Sequence, residues 1–325
     1  MPRSKDLAVL IIAYRRSEGI RNLLEICIRN GITRIYIALD GPKNGSPLAE
    51  VENSEIRKII QDTKANSPKV SIITLFRDQN FGCAASVLSA CDWVFESEEV
   101  LAILEDDCFP NDDFFSFSTH ALEVMRSRPD IWLACGTQFV PNNGKTESWS
   151  LSRYALIWGW VTTRERWIDI SSTLKTRDKL SSFSDRSVWE KIYWLAGSRR
   201  AYDGWVDAWD TILVQKMLVN RKFSILPDNT LVTNNGNDQH ATHTRNESLW
   251  LNANRGKFSG GVESPIYTPE KDLWLLKVFF KISCRHILST QVTRLRDNFN
   301  SSKRPFEPLL VRWEAAEIHR KIHYP

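Results

Sequence analysis

No two cysteines in this chain are spaced C-x-x-C, which removes the commonest zinc-site and dithiol signatures. The six cysteines (Cys27, Cys83, Cys91, Cys108, Cys135 and Cys284) lie mostly in apolar stretches. They read as small buried hydrophobes, and a reducing, cytoplasmic compartment suits them better than a disulfide framework. Neither G-x-G-x-x-G nor a P-loop occurs, so dinucleotide and P-loop enzymes are not indicated. No apolar run approaches the ~20 residues of a membrane-spanning helix, and Leu7 to Ala13 is too short for a signal peptide. A net charge of +4 over 325 residues is not the composition of a nucleic-acid binder. Internal repeats and low-complexity segments are also missing. What the chain does have is 42% hydrophobic residues, enough for a large core in one or two domains, and 13 tryptophans, many of them between Trp149 and Trp209.

The first 140 residues alternate between two periodicities. Leu7 to Ala13 is a continuous apolar run, as in a strand buried on both faces. Ile20, Leu23, Leu24, Cys27 and Ile28 follow at helical spacing behind Ser17, and Gly31 ends that helix. Strands are predicted at Ile35 to Leu39, Val70 to Phe76, Leu101 to Leu104 and Ile131 to Cys135, with helices at Glu50 to Thr63, Gly82 to Phe95 and Asn111 to Ser127. Such alternation predicts a doubly wound α/β sheet. Beyond Pro141 the pattern loosens into an aromatic, irregular stretch. A helix is expected over Trp205 to Val219, a short strand over Phe223 to Leu226, and a polar loop with two histidines over Asn234 to Thr244.

The fourth strand ends in three consecutive carboxylates, Glu105, Asp106 and Asp107. Clustered acids repel one another unless something positive sits among them, and hard oxygen ligands suit a divalent cation that holds a phosphate. The other strands of a parallel sheet bring their tips to the same edge. There the sequence offers Ala13, Tyr14, Arg15 and Arg16 after the first strand, Asp40 after the second, and Arg77, Asn80 and Gly82 after the third. Together these supply a stacking ring, phosphate donors and a lone acceptor, which are what a nucleoside diphosphate needs. Singly, each has a plainer reading as a turn, a cap or a solvated acid.

The pattern Ile11 to Arg16, then Asp40, then Arg77 to Gly82, then Glu105 to Asp107 resembles the GT-A glycosyltransferases, and within them the family-2-like bacterial sugar transferases. Leu104 to Phe115 is also similar to the metal motif of N-acetylglucosaminyltransferase I, and the likeness extends through Tyr154 to Trp160, Ala208 to Asp210 and Ala241 to Thr244. The resemblance implies a Rossmann-like, mostly parallel sheet flanked by helices, and metal-dependent inverting transfer from a nucleotide sugar, with a UDP-sugar favoured. It implies Mn²⁺ or Mg²⁺ on Asp107, with His243 completing the metal or diphosphate site. Asp106 is expected on the ribose or sugar with Glu105 nearby, Asp40 on the base, and Tyr14 and Arg15 flanking it. Trp158, Gly159 and Trp160 are expected beneath the donor sugar. An inverting reaction needs one general base, for which Asp210 matches the family position and Asp207, three residues earlier, is the alternative.

By the same reading, residues 1–265 form the transferase domain (a donor half over 1–140, an acceptor half over 141–265), and 266–325 form a helical extension. From Lys271 onward, 11 Lys and Arg face 5 Asp and Glu. This basic, amphipathic tail suits either packing on the domain or peripheral contact with the inner face of a membrane that carries a lipid-linked acceptor. The acceptor class is a glycan or a lipid-linked sugar. Two other functions compete. A sugar nucleotidyltransferase usually carries a glycine-rich loop after its first strand, whereas here no glycine occurs between Ala13 and Gly19. A non-catalytic sugar-binding protein on the same scaffold would bind nucleotide without turnover.

Overall fold

A computed structural model describes residues 7–43, 46–141, 149–236, 255–258, 260, 264–283, 287 and 304–324. Its centre is an eight-stranded sheet of order β3-β2-β1-β4-β8-β6-β9-β7. The strands are β1 (Ala8–Ala13), β2 (Arg34–Leu39), β3 (Ser71–Phe76), β4 (Val100–Glu105), β6 (Ile131–Cys135), β7 (Trp149–Ser152), β8 (Trp160–Thr163) and β9 (Phe223–Pro227). Only β8 and β7 run against the rest. Two short strands, β5 (Cys108–Pro110) and β10 (Val232–Asn234), pair separately. The expected mostly parallel α/β sheet is therefore present, with antiparallel insertions in its second half.

The apolar run of β1 is explained by a core on each side. Ala8, Leu10 and Ile12 belong to one buried cluster, and Val9, Ile11 and Ala13 to the other. This is the period-2 alternation of a strand covered on both faces. Helices α1 (Ser17–Arg29), α2 (Pro47–Asn66) and α4 (Asp113–Ser127) cover the second face through Leu23, Ile56 and Phe117. The first face is covered by α3 (Cys83–Val94), α5 (Arg164–Leu174), α6 (Val188–Tyr202) and α7 (Asp210–Val219).

The C-terminal residues complete that first face. A short helix α8 (Pro269–Trp274) runs into a π-helical turn, Leu275–Phe279, and α9 (Leu309–His323) lies on α3. Leu275, Leu309, Trp313 and Ala316 are buried in the same cluster as α3 and α7, and Arg320 pairs with Glu96 at 2.6 Å. Much of the tail's apolar side is thus turned onto the protein. No helix among the described residues is long and apolar enough to cross a membrane.

Candidate active site

β1 lies between β2 and β4; the chain leaves β1 toward β2 and leaves β4 toward the other half of the sheet, so the two tips adjoin where the strand order reverses. Ile12 is level with Glu105 across this pair. The residues after β1 therefore meet the acidic triplet.

The three acids serve different ends. Asp106 is buried. Its carboxylate accepts from the Tyr14 backbone N–H at 2.9 Å and from Arg16 Nη1 at 3.0 Å. It fastens the β1 tip to β4. Asp107 faces a cavity of about 350 Å³. Its carboxylate accepts from Asn234 Nδ2 at 3.2 Å and the Cys108 thiol at 3.4 Å, and stands 3.4 Å from Arg16 Nη1. Glu105 lines the same cavity. Burial, with the charges of Asp107, Asp106 and Asp210 adding to it, pushes Glu105 up to about 8, while Arg16 opposes the shift. Burial and the neighbouring Asp106 raise Asp107 as well.

Opposite the acids stands the first turn of α7. Asp210, Thr211, Trp209 and Asp207 line this cavity together with Trp158. Glu105, Asp107 and Asp210 thus share one enclosure, with Arg16 as the cation among its described lining residues. Mutual repulsion raises carboxyl pKa values, and a bound cation would relieve it. The oxygen donors suit a hard divalent ion. Among the described residues no three His, Cys, Asp or Glu side chains form a ready-made cation cage, so a metal here would need ligands from a substrate phosphate and water as well.

Asp207, the alternative base, has partners in the scaffold. Its carboxylate accepts from the backbone N–H of Cys83 at 2.7 Å and of Ala84 at 3.2 Å, and from Arg312 Nη1 at 2.7 Å. It caps the start of α3 and ties that helix to α9, which leaves it badly placed to take a proton from a ligand. Gly82 belongs to this knot: at φ +81, a Cβ would lie 2.4 Å from Asp207 Oδ2. Asp207→Asn is expected to lower stability by about 3 kcal/mol, the scale of breaking one side of a buried ion pair, while sparing turnover well below the melting temperature. Denaturant midpoints and rates measured together check this. Unchanged stability with lost turnover would restore Asp207 as the base.

Other residues expected at ligand contacts also have partners within the scaffold. Asp40 is buried and accepts from the backbone N–H groups of Phe81 at 3.1 Å and Gly82 at 3.1 Å, and from Asn80 Nδ2 at 3.0 Å. Asp40 and Asn80 thus hold the loop after β3. Arg77 is fully enclosed and donates to Ser89 Oγ at 2.7 Å. Its expected phosphate contact is out of reach. Ala13 is buried and offers only its carbonyl, which accepts from Asp40 N. Trp160 packs in the core against Trp209 and Trp167. Gly159 takes φ +65, with Val232 where its Cβ would be. Tyr14 and Arg15 stand on the β1 tip, Arg15 paired with Glu52 of α2. His243 lies outside the described residues.

Burial pushes Asp40 up to about 6, against the pull of Arg77 and the loop N–H groups. The native protein then keeps this proton between about pH 4 and 6, while the unfolded chain has lost it, so stability falls as pH rises through that window. The advantage of wild type over Asp40→Asn should shrink from about pH 4 to about pH 6 and level off above. A flat difference in denaturant midpoint would contradict it.

The sequence places Arg16 at the strand tips without a role of its own, and does not single out Asn234 or Gly236. Arg15 pairs with Glu52 of α2, whereas Arg16, beside it, turns to Asp106 and Asp107. Asn234 arrives through the β5–β10 pairing, where it sits opposite Cys108. Its neighbour Gly236 approaches so closely that a Cβ would lie 2.4 Å from Asp107 Oδ2. The Asn-Asn-Gly run at 234–236 was the available signal, as a tight turn.

No family model and no curated protein matches this chain. Solved structures do show likeness. A mannosyltransferase, PcManGT from Pyrobaculum calidifontis in complex with GDP-Man and Mn²⁺, is similar at TM-score 0.37 and 12% identity, over 49% of this chain and 45% of that one. The match therefore spans less than half of that enzyme. An inositol-1-phosphate CTP transferase from T. maritima is similar at TM-score 0.37 and 11% identity, over 77% of this chain and 96% of the other. For a UDP-glucose pyrophosphorylase complexed with UDP-glucose the values are 0.34 and 9%, over 68% and 89%.

Proposed function

We propose that the protein is a metal-dependent inverting glycosyltransferase that uses a nucleotide-diphosphate sugar. One observation carries this reading: Asp210 opens into the same cavity as Glu105, Asp107 and Arg16, at the switch point of the sheet. Transfer needs an acid-lined pocket for a cation and diphosphate, and a separate carboxylate facing it. Asp210 is that second carboxylate. It takes the proton from the acceptor hydroxyl as the oxygen attacks the anomeric carbon. Asp107, with Glu105 beside it, would hold Mn²⁺ or Mg²⁺. Such an ion would supply charge to offset that of a departing diphosphate. Arg16 keeps the triplet in place and presents a guanidinium to the same phosphates. Trp158 offers a ring face to a sugar.

The nucleotidyltransferase alternative fits these residues less well. Its chemistry is attack of a phosphate on a nucleoside triphosphate and needs no carboxylate at the position of Asp210. The β1 tip also runs straight into α1, and Gly19 serves the approach of α1 to the Asp106 carbonyl, where a Cβ would meet the oxygen at 1.9 Å. Incubation with UDP- and GDP-sugars and Mn²⁺ separates the two. We expect slow, metal-dependent release of the nucleoside diphosphate. Pyrophosphate release from a nucleoside triphosphate plus a sugar phosphate, with no diphosphate release, would overturn the transferase reading.

A further inference from the structure

A second cavity, of about 290 Å³, opens beside the first and shares Ile157, Trp158, Asp210 and Thr211 with it. Its wall is a continuous belt of rings. Trp158 meets Phe139 edge to face at 5.3 Å, and Phe139 stacks on Phe279 at 4.7 Å. Phe279 meets Phe280 at 4.8 Å, Phe280 meets Trp194 at 5.0 Å, and Trp194 meets Tyr193 at 5.0 Å. Phe279 closes the π-helical turn, a distortion often found at functional sites, and Leu275 at its start is buried and anchors it.

Resting on the transferase reading, we propose that this groove holds an apolar aglycone of the acceptor, whose reacting hydroxyl lies at Asp210. Two features support it. The groove adjoins the reaction cavity at Asp210, through residues common to both. Its described lining also has little to satisfy hydroxyls: the Asp210 carboxylate, the hydroxyls of Thr211 and Tyr193, and indole N–H groups. A further sugar ring in the groove would leave several hydroxyls without water or partners, which is costly. A hydrocarbon brings no hydroxyls of its own to satisfy and gains from burial. The volume is at the small end for a ligand pocket and suits one chain or one ring system.

The test is calorimetric titration of the full chain with methyl, butyl, hexyl and octyl β-D-glucosides and with phenyl β-D-glucoside, each below its micelle concentration. Affinity is expected to rise about three- to fourfold per added methylene until the groove is full. An octyl optimum assigns an extended chain, and phenyl matching hexyl assigns a planar aglycone. In Phe279→Ala and Tyr193→Ala the rise should flatten. Equal affinity from methyl to octyl, or an undiminished rise in both variants, would overturn the groove assignment. Binding of UDP and GDP with Mn²⁺ is measured on the same samples. A flat series with intact nucleotide binding removes the groove alone, and a rising series without nucleotide binding removes the transferase reading instead.

Discussion

Asp210→Asn is expected to bind nucleotide as wild type does and to lose turnover by roughly 10²- to 10⁴-fold, the usual contribution of a positioned general base. The amide has the shape of the carboxylate but cannot accept the proton. Its position in the first turn of α7 makes the charge worth about 0.3–1 kcal/mol to the helix, so the fold should survive the exchange. Metal-dependent release of nucleoside diphosphate from the donor is the rate to follow, with nucleotide affinity measured alongside. Because Asp210 also faces the acid triplet, removing its charge should not weaken cation binding by more than a small factor. Full activity in Asp210→Asn would remove the proposed base. Loss of nucleotide affinity along with rate would recast Asp210 as part of the donor site.

Asp107→Ala should act on the other half of the reaction. Nucleotide affinity in the presence of Mn²⁺ should fall by at least about 10²-fold, since losing even an indirect metal partner costs that order. The ligand-free protein should not suffer in proportion. Glu105, Asp106 and Asp107 oppose one another in the buried triplet, and removing one charge relieves a repulsion that the fold tolerates. The melting temperature of the free variant should therefore equal or exceed that of wild type. Asp107→Asn, which keeps the contacts to Asn234 and Arg16, separates charge from shape. Both variants should lose the stabilisation that Mn²⁺ and nucleotide confer on wild type by mass action. A large drop in free-state stability would mean that Asp107 is scaffold, like Asp106.

The first half of the chain was legible because its strands are apolar on both faces and its helices carry one apolar stripe. Ala8–Ala13 and Ile131–Cys135 are buried throughout and could be little else. The second half was not legible for identifiable reasons. β7 and β8 have four residues each, too few for a period to show. In α6, tryptophans and tyrosines fall on several sides, so no stripe marks the helix Val188–Tyr202. Within the site, carboxylate chemistry was readable and direction was not. Asp40, Asp106, Asp107, Asp207 and Asp210 all looked like ligand contacts. Three of them turn inward, toward partners that no local pattern reveals. Arg312, which holds Asp207, is 105 residues away in sequence. The tail's apolar spacing was visible too, but not that Phe279 and Phe280 would wall a groove against Phe139 and Trp194.

Manganese anomalous scattering from crystals soaked with Mn²⁺ and either UDP or GDP tests the central claim most directly. The account predicts one strong peak against the Asp107 carboxylate, bridged to the diphosphate, with Asp210 across the cavity. Nucleotide bound with no metal at Asp107, or metal bound only elsewhere on the molecule, would contradict it.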